Sequence, residues 1–414
     1  MPKPRYTELM NADNHQLLSA ARGYQGGAVA FLQDLVRLPS VNGRDTEAAV
    51  AQRVVEEAEH LGLPARLVAA DPERPNVLVE LGDGVGGFAL VAHLDTVEEG
   101  ESEDWSYPPF GAESHDDRLY GRGAADNKAG IACGLYTLAL LRDRGLLDPS
   151  AARVVLAGVV DEEAGANSPL GARYLLDQGL LDVSGAIYTY TSDKIRIGHR
   201  GVLRLKLHAT GKAVHSGRKA WHQKRQGLNA GAALMAVALA LDEMEISSAP
   251  HPAFEGLGCT VTVTSLHFGP DNGLVSGVVP GRAEAGIDIR LMPGQSKDEV
   301  LDIVRIVVER TALPGVEVTT DVAVDIPAAV IPPDHRLVET ARRWTRMITG
   351  EEWAVAGAGP ANEGYMFIGA GIPTLCGFGP QGGNAHAADE YVEVGSLPQS
   401  IAMYTGVIRD YLDG

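Results

Sequence analysis

At 414 residues the chain is longer than the size at which a single hydrophobic core keeps growing, so two domains are expected. Its composition, 45% hydrophobic and 21% charged, is that of a folded globular enzyme and excludes a disordered or fibrous chain. A formal net charge of −19 argues against a nucleic-acid partner, because phosphate recognition needs a basic footprint.

The segment from Met1 to Arg22 is polar and carries no apolar signal region, and no later stretch is long enough to span a membrane. A cytoplasmic protein without a membrane partner is therefore expected. Ala28–Arg37 has helical apolar spacing, and Thr46–Leu61 reads as an amphipathic helix ended near Gly62 and Pro64. Val77–Leu81 and Phe88–Val97 read as strands joined by Gly82 to Gly87. That joint matches G-x-G-x-x-G, but a strand rather than a helix follows it, so it is a glycine turn and not a dinucleotide site. Phe88–Val97 opens as an uninterrupted apolar run, the pattern of a strand buried on both faces, and closes on His93-Leu94-Asp95. Ligands in open α/β sheets bind beyond the carboxyl ends of such strands. His93 and Asp95 are thus placed for chemistry, with a metal or as a proton-handling pair.

Gly121–Gly145 is a glycine-rich loop that becomes a long helix, with Asp126 where an N-cap would lie. Arg153–Glu163 is a second buried strand, ending in Asp161-Glu162-Glu163, and Ala186–Thr191 a third. From about Ile195 the pattern changes. Val202–Ala209 and Cys259–Leu266 alternate apolar and polar residues, Ala283–Leu291 is a further strand, and Leu228–Met244 and Val300–Thr311 are helical. This order suggests a small α+β domain inserted into a larger α/β one, with boundaries at 1–197, 198–316 and 317–414. Leu337–Ile348 resumes as a helix and Ile372–Phe378 as a buried strand. The three cysteines, Cys133, Cys259 and Cys376, are far apart and form no CxxC, so neither a disulfide framework nor a zinc knuckle is indicated.

Four separated places point to one chemistry: His93-x-Asp95, Asp126, the acidic triplet, and His386 in a glycine-rich loop after the last buried strand. Imidazole nitrogen and carboxylate oxygen are ligands that suit Zn²⁺. Neighbouring carboxylates in an apolar setting repel unless they share a cation or a proton, so Glu162 and Glu163 need different roles. No G-x-S-x-G elbow, Walker A loop or HExxH helix is present.

HLDTV, GRGAADNKAG, DEEAG, GKAVHSG and GGNAHAADEYV, in that order, make the chain resemble one superfamily over nearly its whole length. It is that of the di-zinc amidohydrolases and exopeptidases, which includes acetylornithine deacetylase, succinyl-diaminopimelate desuccinylase, bacterial glutamate carboxypeptidase and aminoacylase. The resemblance implies a mixed-sheet, zinc-exopeptidase-like catalytic domain with an inserted α+β dimerisation or lid domain. It implies that His93 binds one metal, that Glu163 and His386 bind the other, and that Asp126 bridges them. Asp95 would hydrogen-bond His93 and fix its tautomer. Glu162 would act as general base and then acid on metal-activated water. His215, in GKAVHSG, would reach a partner subunit's site as an oxyanion donor, which implies a homodimer. Arg290 would grip the carboxylate of a small-molecule or short-peptide substrate. The activity implied is hydrolysis of an amide bond in an N-acyl amino acid or small peptide, with one or two Zn²⁺ per subunit, or Co²⁺ or Mn²⁺ in their place.

The chain departs from the family pattern in three places. The family's remaining metal ligand is the Glu of a Glu-Pro-Thr run, and that position falls here on Thr189 or Tyr190, with Asp193 the only carboxylate nearby. A lid asparagine is replaced by Gly277. A Gly-Thr-Ser-Asp loop reads Gly359-Pro360-Ala361-Asn362-Glu363-Gly364. Besides an active enzyme with an unusual metal site, these departures are compatible with a mono-metal enzyme, with a non-hydrolytic homologue that binds a small ligand or partner, and with a hydrolase of another carbon–nitrogen bond.

Overall fold

The apolar run ahead of His93 is the centre of a six-stranded sheet. The structure, a computed structural model, describes residues 6–269 and 276–413. Gly87–His93 is buried at all seven positions and lies between two parallel neighbours, Arg153–Val159 and Gly185–Tyr188. Burial on both faces is the physical reason the strand carries no alternation. Outward from Arg153–Val159 come Asn76–Leu81 and Ala65–Val68, both antiparallel, and beyond Gly185–Tyr188 the short strand Thr374–Leu375 is parallel. The carboxyl ends of Gly87–His93 and Arg153–Val159 therefore lie side by side. His93 and the acidic triplet leave the sheet at the same edge.

The helix Ala129–Asp143 covers the sheet and is buried at every position from Ala129 to Leu141. A Cβ on Gly134 would come within 2.6 Å of the Leu156 side chain, so glycine is what allows the helix to approach the sheet so closely. The first helix runs over Tyr6–Arg37, well ahead of the predicted Ala28–Arg37. One of its glycines has a packing reason: a Cβ on Gly27 would sit 2.5 Å from the Tyr136 hydroxyl. The helix Ser396–Leu412, absent from the sequence expectation, is buried almost continuously from Ser396 to Ile408, which erases the amphipathic period.

Two long-range pairings complete the frame of this unit. Ile195–His199 pairs in parallel with Val355–Ala358. Gly382–Gly383 turns back on Tyr391–Glu393, which pairs with Arg118–Tyr120. That second pairing sets the His386 loop beside the segment leading to Asp126.

The chain divides into two compact units, residues 1–199 with 330–414, and residues 200–329. The second unit is a four-stranded antiparallel sheet in the order Thr260–Phe268, Arg282–Leu291, Gly201–Thr210, Glu317–Ile326. Its core joins alternate residues such as Leu203, Leu205, Leu207, Ile287 and Ile289 to Leu234, Val237, Val300 and Val304 of the helices Ala230–Asp242 and Lys297–Thr311. The boundary expected at 316 falls too early. Glu317–Ile326 pairs along its length with Gly201–Thr210, so it belongs to this sheet and the unit runs to residue 329. Among the described residues no helix is long and apolar enough to cross a membrane.

Candidate metal centre

At the end of its strand, His93 is held by the backbone two residues further on. Its Nδ1–H donates to the main-chain oxygen of Asp95 at 2.9 Å, which fixes the tautomer and leaves the Nε2 lone pair free to bind. Nε2 faces Asp126 Oδ1 at 2.8 Å. The Asp95 carboxylate was expected to orient this ring, but its nearer oxygen lies 3.5 Å from Nδ1. It also accepts from the backbone N–H groups of Glu162 and Glu163, at 3.2 and 2.9 Å, and from Asn42. Asp95 thus ties the His93 turn to the acidic triplet.

The triplet separates into three roles because its backbone turns sharply, with Asp161 in the left-handed region at φ 66°. Asp161 points away from the histidines and pairs with Arg74 at 2.6 Å, Asn42 at 2.8 Å and Ser168 at 2.5 Å. Glu162 accepts from the Tyr190 hydroxyl at 3.2 Å. Glu163 meets His386 Nε2 at 3.2 Å, and the same nitrogen is 3.4 Å from Asp126 Oδ2. His386 is itself left-handed, at φ 64°, within a loop closed by Asn384 bonding to Asp389 O.

Asp126 is not the N-cap expected from sequence. The helix cap is Lys128, and Asp126 has φ −128° and ψ 89° ahead of it. Glu390 holds this non-helical stretch, a role the sequence did not suggest. Its Oε1 accepts from Ala125 N at 2.8 Å and Asp126 N at 2.9 Å, and its Oε2 accepts from Gly123 N at 3.0 Å and Arg122 Nη1 at 2.6 Å. The only sequence signal was the acid pair three residues after His386.

Ligand atoms of His93, Asp126 and Glu163 all lie within 4.8 Å of one another, and His386 approaches the same two carboxylates. Two imidazole nitrogens and two carboxylates converging on one locus fit a divalent cation of the zinc type. Without one, protons take its place. Hydrogen bonds to Asp126 and Glu163 push His386 up to about 10, against a smaller opposing effect of burial. Burial would lower His93, but the Asp126 carboxylate at its Nε2 and, more distantly, the Asp95 carboxylate 3.5 Å from its Nδ1 raise it well above its ordinary value. Burial would raise Asp126, yet His386 and His93 hold it well below the carboxylate range. Burial raises Glu162 well above its usual value, with His93 opposing and Glu163 and Glu363 adding to the rise.

These protons must leave when a cation binds. A group whose affinity for protons is raised to about 10 competes with metal at every pH below that value. Apparent metal affinity should therefore rise as pH increases from about 6 toward 10, and protons should be released at neutral pH. Calorimetric titration in buffers of different ionisation heat checks this. A binding heat independent of buffer would contradict it.

Thr189 and Tyr190, at the family's missing carboxylate position, are both engaged. Thr189 is buried and donates to Val91 O at 3.0 Å, and the Tyr190 ring lies 5.8 Å from that of His93. Asp193 is exposed and lies outside the ligand group. Glu363 is fully buried and accepts from Tyr188 at 3.1 Å. Its other oxygen has no hydrogen-bond partner among the described residues, and burial pushes the acid up to about 8, against the Tyr188 bond.

His215 and Arg290 belong to the second unit. His215 is exposed, and its Nδ1 accepts from Gly217 N at 3.1 Å, so in the neutral ring Nε2 carries the proton and is a donor. Gly277 bonds through its carbonyl to Ser216 N at 2.8 Å. Arg290 donates from Nε to Asp288 at 2.7 Å and from Nη2 at 3.3 Å, which leaves Nη1 for another acceptor.

Residues 89–410 match the model of Peptidase family M20/M25/M40, and the chain belongs to that family. It is 31% identical to a probable succinyl-diaminopimelate desuccinylase of Staphylococcus aureus (strain MRSA252) over 190 residues, 45% of each chain. It thus spans about half the length of such relatives. A probable succinyl-diaminopimelate desuccinylase of Staphylococcus epidermidis (strain RP62A) is 25% identical over 413 residues, 93% of this chain and 98% of that one. In fold the chain is similar to the M20 family metallo-carboxypeptidase Sso-CP2 from Sulfolobus solfataricus. The TM-score is 0.72 at 19% identity, with 94% of this chain and 99% of that one covered.

Proposed function

We propose that the protein is a metal-dependent hydrolase of an amide bond in an N-acyl amino acid or small peptide. The observation that carries this is the separation of Glu162 from the ligand carboxylates. It lies beside them, bound to the Tyr190 hydroxyl, while Glu163 and Asp126 face the histidines. His93, Asp126, Glu163 and His386 would hold Zn²⁺, or Co²⁺ or Mn²⁺. The bound cation supplies Lewis acidity toward the scissile carbonyl and makes a water easier to deprotonate.

The chain's own residues do the rest. Glu162, made more basic by burial, takes a proton from the attacking water and returns it to the leaving amine. The Tyr190 hydroxyl orients the carboxylate that moves this proton. The Nε2–H of His215 is a donor of the right tautomer for a developing oxyanion in a partner subunit's site. Arg290 keeps one guanidinium arm for a substrate carboxylate. A homodimer is part of the proposal. Exposed Met235 (44%) and Leu239 (59%) on one helix, and Leu266 and Phe268 on the edge strand Thr260–Phe268, offer an apolar surface for a second copy.

The test is release of amine from a panel of N-acyl amino acids and dipeptides by protein loaded with Zn²⁺, Co²⁺ or Mn²⁺, with mass in solution measured on the same preparation. Turnover by a species of twice the chain mass is expected. No turnover on any substrate with any of the three metals would defeat the hydrolase assignment, and a monomer would defeat the role of His215 in a partner's site.

A further inference from the structure

The cluster is built for a fixed amount of positive charge. Its two ligand carboxylates, Asp126 and Glu163, together carry the charge that one divalent cation neutralises. Asp126 presents Oδ1 to His93 and Oδ2 to His386, so there is a place for a cation on either side of it. The side toward His386 also has Glu163, which makes three donors. At the position of the family's further carboxylate stand Tyr190, whose ring lies 5.8 Å from that of His93, and Thr189, whose hydroxyl is committed to Val91 O. Both are neutral. A second cation there would have His93 as its one unshared ligand, because Asp126 and Glu163, both within reach of His93, already serve the His386 side, whereas a catalytic zinc ordinarily keeps three protein ligands. Glu162 could compensate its charge only by becoming a ligand, which would remove it from proton transfer.

We infer that this chain holds one divalent cation per subunit, with Thr189 and Tyr190 occupying the place where a further carboxylate would create a second site. The inference rests on the metal-dependent reading above. Tyr190 serves this arrangement twice, by filling space beside His93 and by holding Glu162 through its hydroxyl at 3.2 Å.

The experiment counts metal rather than activity. Purified protein is saturated with Zn²⁺, freed of loosely bound ion and analysed by elemental mass spectrometry, beside Thr189→Glu and Tyr190→Glu. A parallel titration with Co²⁺ follows the visible absorption of the bound ion. The wild type should hold one Zn²⁺ per chain, and its Co²⁺ signal should saturate at one equivalent. At least one variant should gain a second equivalent. Two equivalents in the wild type would overturn the inference and leave the hydrolase reading standing, whereas no bound metal would overturn both. A folded pair of variants that each stop at one equivalent would overturn the assignment of the vacant ligand place to Thr189 and Tyr190. Should neither variant fold, the wild-type count still decides the stoichiometry.

Discussion

Glu162→Gln should lower kcat by about two to four orders of magnitude, the usual contribution of a positioned general base. Metal content and thermal stability should stay close to those of the wild type. The substitution keeps the shape of the side chain, and the amide oxygen can still accept from the Tyr190 hydroxyl 3.2 Å away. It also removes a buried carboxyl whose ionised form is disfavoured by burial, so no stabilising charge is lost with it. Because proton transfer is made only in the transition state, kcat and kcat/KM should fall together while KM changes little. The neighbouring Glu163→Gln should behave differently. It weakens a contact with His386 and removes one of two ligand carboxylates, so bound metal should fall before any rate is considered. Steady-state kinetics combined with metal analysis separates the two. A Glu162→Gln enzyme of full activity would eliminate the base assignment.

The contrast between these adjacent glutamates shows what the sequence could and could not convey. Residue types and strand ends were legible: the apolar run before His93 and the one before Asp161 each predict a buried strand, and both strands end at the same sheet edge. Period alone also predicts the alternating strands of the second unit. The positions of side chains at those ends were not legible, because they depend on left-handed backbone at Asp161 and His386, a conformation that Asp and His adopt more often than most residues but at too few positions to be read from type alone. The link between Asp95 and His93 runs most closely through a main-chain oxygen, at 2.9 Å, with the carboxylate at 3.5 Å, a distinction that no spacing rule can make. The boundary expected at 316 cuts Glu317–Ile326 away from its own unit because its partner, Gly201–Thr210, is more than a hundred residues away and pairing leaves no local signature. The buried helix Ser396–Leu412 was missed because periodicity reports a boundary with water, and this helix meets little of it.

Glu390→Gln should be the most damaging single change outside the ligands themselves. The wild-type carboxylate accepts four hydrogen bonds at 2.6–3.0 Å, from the backbone at Gly123, Ala125 and Asp126 and from Arg122. Burial pushes its pKa up, but four donors with no acceptor among them require the ionised form at neutral pH. Glutamine keeps one accepting oxygen and turns an NH₂ group toward a pair of donors. Whichever way the amide lies, two N–H groups lose their acceptor and face hydrogens. Arg122, only 1% exposed, also loses the counter-charge that makes its burial tolerable. Breaking a buried ion pair from one side costs about 3–5 kcal/mol. For a unit of this size the melting temperature should drop by on the order of 5–10 °C. The second consequence is functional. The N–H of Asp126 is one of the four groups held, so the loop that presents its carboxylate to both histidines loses an anchor. Apparent metal affinity should weaken by about 10- to 100-fold, as when an outer-shell partner of a ligand is removed. Calorimetric melting and metal titration of the same variant test both effects. A variant that melts and binds metal like the wild type would show that the Asp126 loop holds its shape without Glu390.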